Sequence, residues 1–178
     1  QKYIKHYFKN VMAPVLSPQI VDSHHPFPHL EGKVLYIAAL LAHKKNERLG
    51  LLPVPASLPA LVFLPGQSGQ YVPVEDILLE YADHVFEMYD VLEKTVFCVT
   101  RNADINPDDE TFGAEEGDFR KRMEKLLRQR RRMAVVRVEL NRPISDHFKE
   151  YFRTRFEVTD AQIFLSRPRY LHLMTFPT

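Results

Sequence analysis

The sequence predicts an α+β fold, a mixed sheet with helices packed on it. Three observations carry that expectation. Strand-like runs and helix-like stripes are intermixed, without the strict alternation of a parallel doubly wound sheet. The strand-like runs are short, apolar and bounded by proline, glycine or polar turns. The chain has 178 residues and is 45% hydrophobic, enough for one domain with a real core.

Taken in order, Tyr3, Ile4, Tyr7, Phe8 and Val11 fall at helical spacing, with Lys2, Lys5, Lys9 and Asn10 between them. Pro14 stops this helix. Residues 13–32 carry Pro14, Pro18, Pro26 and Pro28, a density that prevents regular helix and favours an extended path. VLYIAALLA (34–42) reads as a buried strand and HKKNER (43–48) as a polar turn. LGLLPVP (49–55) and ALVFLP (60–65) are two further strands, and GQSGQ (66–70) is a hairpin-like turn. A helix follows over about 75–87, with Ile77, Leu78, Tyr81 and Val85 as its stripe and Glu75-Asp76 at its positive end. A strand is expected over 95–101, an acidic loop over 106–117, and a helix over 118–133 with Phe119, Met123, Leu126 and Leu127 on one face. AVVRVEL (134–140) alternates like a half-buried strand, and Ser145 is placed to cap the helix DHFKEYFRTRF.

The net charge of +1 argues neither for nor against an anionic partner, so only local clustering can speak. A lone cysteine, Cys98, excludes an internal disulfide framework and fits a reducing, cytoplasmic compartment. Its apolar run marks it as a buried, inert thiol. No stretch is long and apolar enough to read as a membrane span. Opening at Gln1 directly into a helix-like stretch, the chain reads as a middle portion of a longer protein.

Two segments attract a binding hypothesis. RKRMEKLLRQRRR (120–132) sets eight cations against Glu124, with Asp118 just before it. Arg128, Arg130, Arg131 and Arg132 there are candidate anion contacts, because planar guanidinium groups match phosphate oxygens. The competing reading is a solvated helix face whose cations favour the helix C-terminus. TVFCVTRNAD (95–104) runs an apolar strand into Arg101, Asn102 and Asp104; Arg101 can meet an anion or simply finish a strand. His24, His25 and His29 lie near Asp22 and Glu31, but proline-extended chain keeps such side chains from converging on a metal. Neither phosphate-cradling glycine loop occurs, nor does the GxSxG elbow. RNA is disfavoured, since VFCV and VVRV offer only Phe97 for stacking.

Several stretches together resemble one family. YIKHYFKNVMAPVLSPQIVDSHHPFPHLEGKVLYIAAL resembles its aromatic-rich helix, then a Pro-x-Leu-Ser/Thr-Pro step, then HPFP. LPVPASLPALVFLPG, YVPVEDIL, FCVTRNADINPDDE and LLRQRRRMAVVRVEL follow in the family's order and spacing along nearly the whole chain. The family is the bacterial polyphosphate kinases, and the matching part is their middle, or head, region. The chain departs from many relatives at Ala60, where they carry arginine, and SRPRYLHL follows the family only loosely.

The resemblance implies an intact enzyme that reversibly transfers the terminal phosphate of ATP to polyphosphate, with Mg2+ and a phosphorylated histidine. ATP, Mg2+ and polyphosphate belong to the intact enzyme, and no cofactor is expected in this fragment. Residues 1–12 would end a preceding helical N-terminal domain, and 13–178 would form the middle domain up to the connector to the catalytic half. The implied role is architectural, with homo-oligomer formation and any membrane association arising through the full-length protein. His6, His24, His25, His29, His43, His84, His147 and His172 sit in no sequence like the family's catalytic histidine motifs, so no catalytic or metal-binding residue is assigned. The rival expectation is a free-standing module that binds an anionic polymer, polyphosphate or RNA.

Overall fold

Two central strands with both faces covered organise the molecule, whose computed structural model describes residues 2–22, 27–66, 69–105 and 119–166. They are β2 (Leu35–His43) and β6 (Asp90–Arg101). Side chains alternate across a strand, so β2 sends Leu35, Ile37, Ala39 and Leu41 to one core and Tyr36, Ala38 and Leu40 to the other. β6 does the same with Val96 and Cys98 against Phe97 and Val99. Double coverage is why these segments read as unbroken apolar runs.

The sheet is completed by β1 (Gln19–Val21), β3 (Asn46–Pro53), β7 (Val135–Leu140) and β8 (Ile163–Leu165). Its order is β1-β3-β2-β6-β7-β8, antiparallel except for the parallel β7–β8 pair, so it is a mixed sheet. A separate hairpin pairs β4 (Leu61–Phe63) with β5 (Tyr71–Pro73). The α+β architecture read from the sequence is the one found.

On the first face lies α1 (Lys2–Tyr7), which continues through a π-turn (Phe8–Met12) and a 3-10 turn (Ala13–Val15). Beside it are α2 (Val74–Glu80) and α3 (Ala82–Val85), delivering Ile77, Leu78, Ala82 and, just beyond, Phe86. On the second face, α6 (Asp146–Phe156) inserts Phe148, Phe152 and Phe156, with Phe152 edge-on to Phe97 at 5.1 Å. Each such ring contributes roughly 2–3 kcal/mol by leaving water. Ser145 caps α6 as expected: its Oγ accepts from Phe148 N at 3.1 Å, while Glu93 accepts from both Ser145 N and Oγ.

Several local expectations are corrected. The turn expected over 43–48 is only Lys44-Lys45, because His43 pairs with Asn46 and the strand resumes there. Lys44 takes φ 57° to make so tight a reversal. In the first helix Val11 is exposed and Met12 is buried, because the wide π-turn changes the phase of the buried stripe. The helix expected at 75–87 breaks at Tyr81 into α2 and α3. β6 starts at Asp90 rather than near 95; β1 lies in the stretch expected to be extended, and its pairing in the sheet is what the sequence did not announce. His24, His25, the acidic run 106–117 and the residues after 166 lie outside the described residues.

Candidate functional site

Arg101 ends β6, just before α4 (Asn102–Ile105), and its guanidinium donates to the backbone. Nε and Nη2 donate to Leu30 O at 3.1 and 2.7 Å, and Nη1 donates to Met133 O. The same corner is tied by Asn102 N donating to Ala134 O, by Lys33 N donating to Val99 O, and by Glu31 N donating to the Tyr36 hydroxyl. Burial pushes the Tyr36 phenol above its ordinary pKa, which keeps that oxygen neutral. The cation therefore does three things at once: it holds the proline-rich connection, finishes β6, and sits at the negative end of the basic helix.

That helix is α5 (Phe119–Met133), about 22 Å long by its rise per residue. All side chains described along it are exposed, Leu126 and Leu127 by half of their surface. Of the residues expected on one apolar face, Met123, Leu126 and Leu127 are thus turned to solvent, and the side chain of Phe119 lies outside the described residues. Helical spacing also splits the arginine group. Lys125, Arg128 and Arg131 fall on one side. Arg130 falls on the other, amid Met123, Leu126, Leu127 and Met133. The side chain of Arg132 lies outside the described residues. Arg101 meets this helix at its last turn, by its bond to Met133 O. What the arrangement offers is one basic ridge and one apolar ridge on a helix whose described side chains are exposed.

Three of the described histidines, His6, His43 and His147, have side-chain or backbone partners. Asn10 Nδ2 donates to His6 Nδ1, His43 Nδ1 donates to Met88 O at 3.1 Å, and His147 pairs with Glu47 at 2.6 Å. Cys98 is buried, with its thiol 3.9 Å from Glu139. Phe97, the only aromatic in VFCV and VVRV, is fully buried against Tyr36 and Phe152. Among the described residues no group of three or more His, Cys, Asp or Glu is placed to hold a metal ion, and no helix is long and apolar enough to cross a membrane.

A second feature escaped the sequence reading. A groove of about 740 Å³ opens between the α1–π-turn segment and the turn after α3, lined among others by Lys5, Phe8, Lys9, Tyr81, His84 and Tyr89. Its walls come from segments some seventy residues apart, so no local spacing could announce it. The Lys5/Lys9 pair, one helical turn apart, was the nearest available signal.

Comparison with known proteins places this geometry. Residues 1–176 match the family model described as polyphosphate kinase middle domain. A polyphosphate kinase of Campylobacter jejuni is 31% identical over 167 residues, covering 92% of this chain and 23% of the relative. One of Bacillus anthracis is 33% identical over 174 residues, covering 93% and 24%. The crystal structure of polyphosphate kinase from Porphyromonas gingivalis matches with a TM-score of 0.68 at 20% identity, over 99% of this chain and 25% of that one, a likeness of fold. The chain thus spans about a quarter of the length of these relatives. It belongs to the polyphosphate kinase family, as that family's middle domain.

Proposed function

We propose that this chain is the architectural, non-catalytic middle domain of an enzyme that reversibly transfers the terminal phosphate of ATP to polyphosphate. In the intact enzyme Mg2+ accompanies ATP, and the phosphate passes through a histidine lying in the catalytic half beyond this domain. The observation that carries the architectural reading is α5, a helix that keeps an apolar ridge and a basic ridge outside the domain's own core. Apolar side chains left about half exposed at Met123, Leu126, Leu127 and Met133 mark a contact with something beyond the domain. We assign the apolar ridge to a second copy of the chain in a homo-oligomer. The basic ridge, with Arg128 and Arg131, lies beside the path of the polyphosphate chain. Residues 1–12 end the preceding helical domain, and Phe8 and Met12 anchor that end in the first core.

The test is turnover. The purified fragment, given ATP and Mg2+, forms no polyphosphate, whereas the full-length protein does. Polyphosphate made by the fragment would overturn the reading. The exposed cations of α5 favour one second reading, a module whose own function is to hold an anionic polymer. Tight, salt-sensitive polyphosphate binding by the fragment alone would favour that module.

A further inference from the structure

The first helical segment carries apolar side chains on two adjacent sides. One side, with Ile4, Phe8 and Met12, packs into the first core. The other begins with Tyr3 and Tyr7, whose rings stack at 6.2 Å with 29° between the planes. Steps of four drift forward around an α-helix, but the wider π-turn over Phe8–Met12 turns less per residue and cancels that drift. Val11 is thereby returned to the side of Tyr3 and Tyr7, and Val15 follows in the closing 3-10 turn. Tyr3 is 40% exposed and Val11 and Val15 are each 44% exposed, so the described residues of this domain leave the ridge open. His6 and Asn10 border it on the polar side, joined by Asn10 Nδ2 donating to His6 Nδ1 at 3.1 Å and to His6 O at 2.9 Å. Lys5 and Lys9, which line the groove, stand two residues on from Tyr3 and Tyr7 and so on the far side of the helix.

Apolar residues over so wide an arc mark a helix that is covered on both sides. These few side chains fall far short of the ~800 Å² per partner that a free-standing interface needs. The ridge therefore fits an occupant that is already tethered, for which association is intramolecular. The chain spans about a quarter of its relatives and matches a domain described as the middle one, so polypeptide lies on both sides of it in the full-length protein. Of the two, the preceding polypeptide joins beside Tyr3, at the ridge itself. Charge adds a constraint. The sequence holds Lys2, Lys5 and Lys9 and no acid before Asp22, which favours an occupant with acidic rather than basic flanks. We propose that the ridge of Tyr3, Tyr7, Val11 and Val15 seats an amphipathic helix with acidic flanks from the polypeptide preceding residue 1. α1 then lies between that helix and the first core, and fixes the preceding part of the enzyme to the sheet. The proposal rests on the reading that a helical domain precedes this one, and adds to it the surface and the residues of contact.

The experiment places photoreactive benzoylphenylalanine at Tyr3 or Val11 of the full-length protein, one position at a time, with mass mapping of the linked peptides. Each probe should link to a peptide N-terminal to residue 1 that carries more acids than bases beside its apolar stripe. The link should lie within one polypeptide, so the product keeps the monomer's mass under denaturing conditions. The same probe at Lys9, on the far side of the helix, should lose that product. Val11→Asp with Val15→Asp should abolish the link from Tyr3 and speed hydrogen exchange in the preceding segment by roughly tenfold. Exchange in β2 and β6 should stay as it was, because neither valine is buried in this domain's core. A link to a second copy, to the part of the enzyme after this domain, or to nothing would overturn the proposal. So would equal yield from Lys9, exchange that rises in β2 and β6, or exchange unmoved in the preceding segment. Polyphosphate made by the isolated fragment would sink the architectural reading and leave this contact standing, whereas a link to another partner would sink the contact and leave that reading.

Discussion

Arg101 makes three backbone donations at one corner, at the point where the sequence also allowed an anion contact. Arg101→Ala leaves the carbonyls of Leu30 and Met133 without that donor, so it should cost about 2 kcal/mol in urea unfolding. Arg101→Lys should recover only part of that, because an ammonium cannot span both carbonyls as a planar fork does. Gly50 is a tighter constraint. A Cβ there would meet Leu41 Cδ1 at 2.7 Å and the Phe86 ring at 2.8 Å. Gly50→Ala should therefore lower stability by about 1–3 kcal/mol through overpacking. Asp83 accepts from Lys94 at 2.8 Å, and that hydrogen bond holds its carboxyl below the usual range. A carboxylate with a depressed folded pKa adds stability above its unfolded value, near 4, and loses it as pH falls through the folded value. The Asp83 side chain is 57% exposed, so the contribution is small. Lys94→Met should raise the Asp83 pKa, read from its carboxyl carbon shift against pH.

At the scale of elements, α5 carries the clearest division of labour. Its two ridges border each other at Leu127 and Arg131, one turn apart, but otherwise face different ways, so their variants should separate. Arg128→Gln with Arg131→Gln should flatten the salt dependence of polyphosphate binding by about one unit of slope per arginine and leave assembly unchanged. Leu126→Asp with Leu127→Asp should shift the full-length protein toward smaller species in sedimentation and spare the salt slope. Arg130, on the apolar side, should behave with the leucines rather than with the other arginines. A single phenotype from all of these variants would mean that the helix acts as one undivided surface.

For the whole molecule, the two cores on opposite faces of the sheet both draw on β2 and β6, so the domain should unfold as one unit. The fragment should melt in one cooperative transition, with coincident loss of far-ultraviolet and tyrosine signals. Two separated transitions would show that the α1 to α3 layer and the α6 layer fold independently. The same shared strands place the basic helix and the aromatic groove at opposite ends of one rigid sheet.

By itself the sequence determined the α+β class, the central strands, the Ser145 cap and the family. These are local or periodic properties: alternation, helical spacing, capping chemistry and ordered motifs are all written along the chain. It also located the basic helix, though not its exposure, because an apolar stripe looks the same whether it meets its own core or another surface. Only the tertiary structure decided that Arg101 spends its donors on Leu30 and Met133, since that choice depends on where residues 71 and 32 positions away come to rest. It alone broke the 75–87 helix at Tyr81 and brought residues 5–20 against 81–89 to form the groove. Contacts between distant segments have no signature in spacing, because packing against a shared sheet, not neighbouring residues, brings them together.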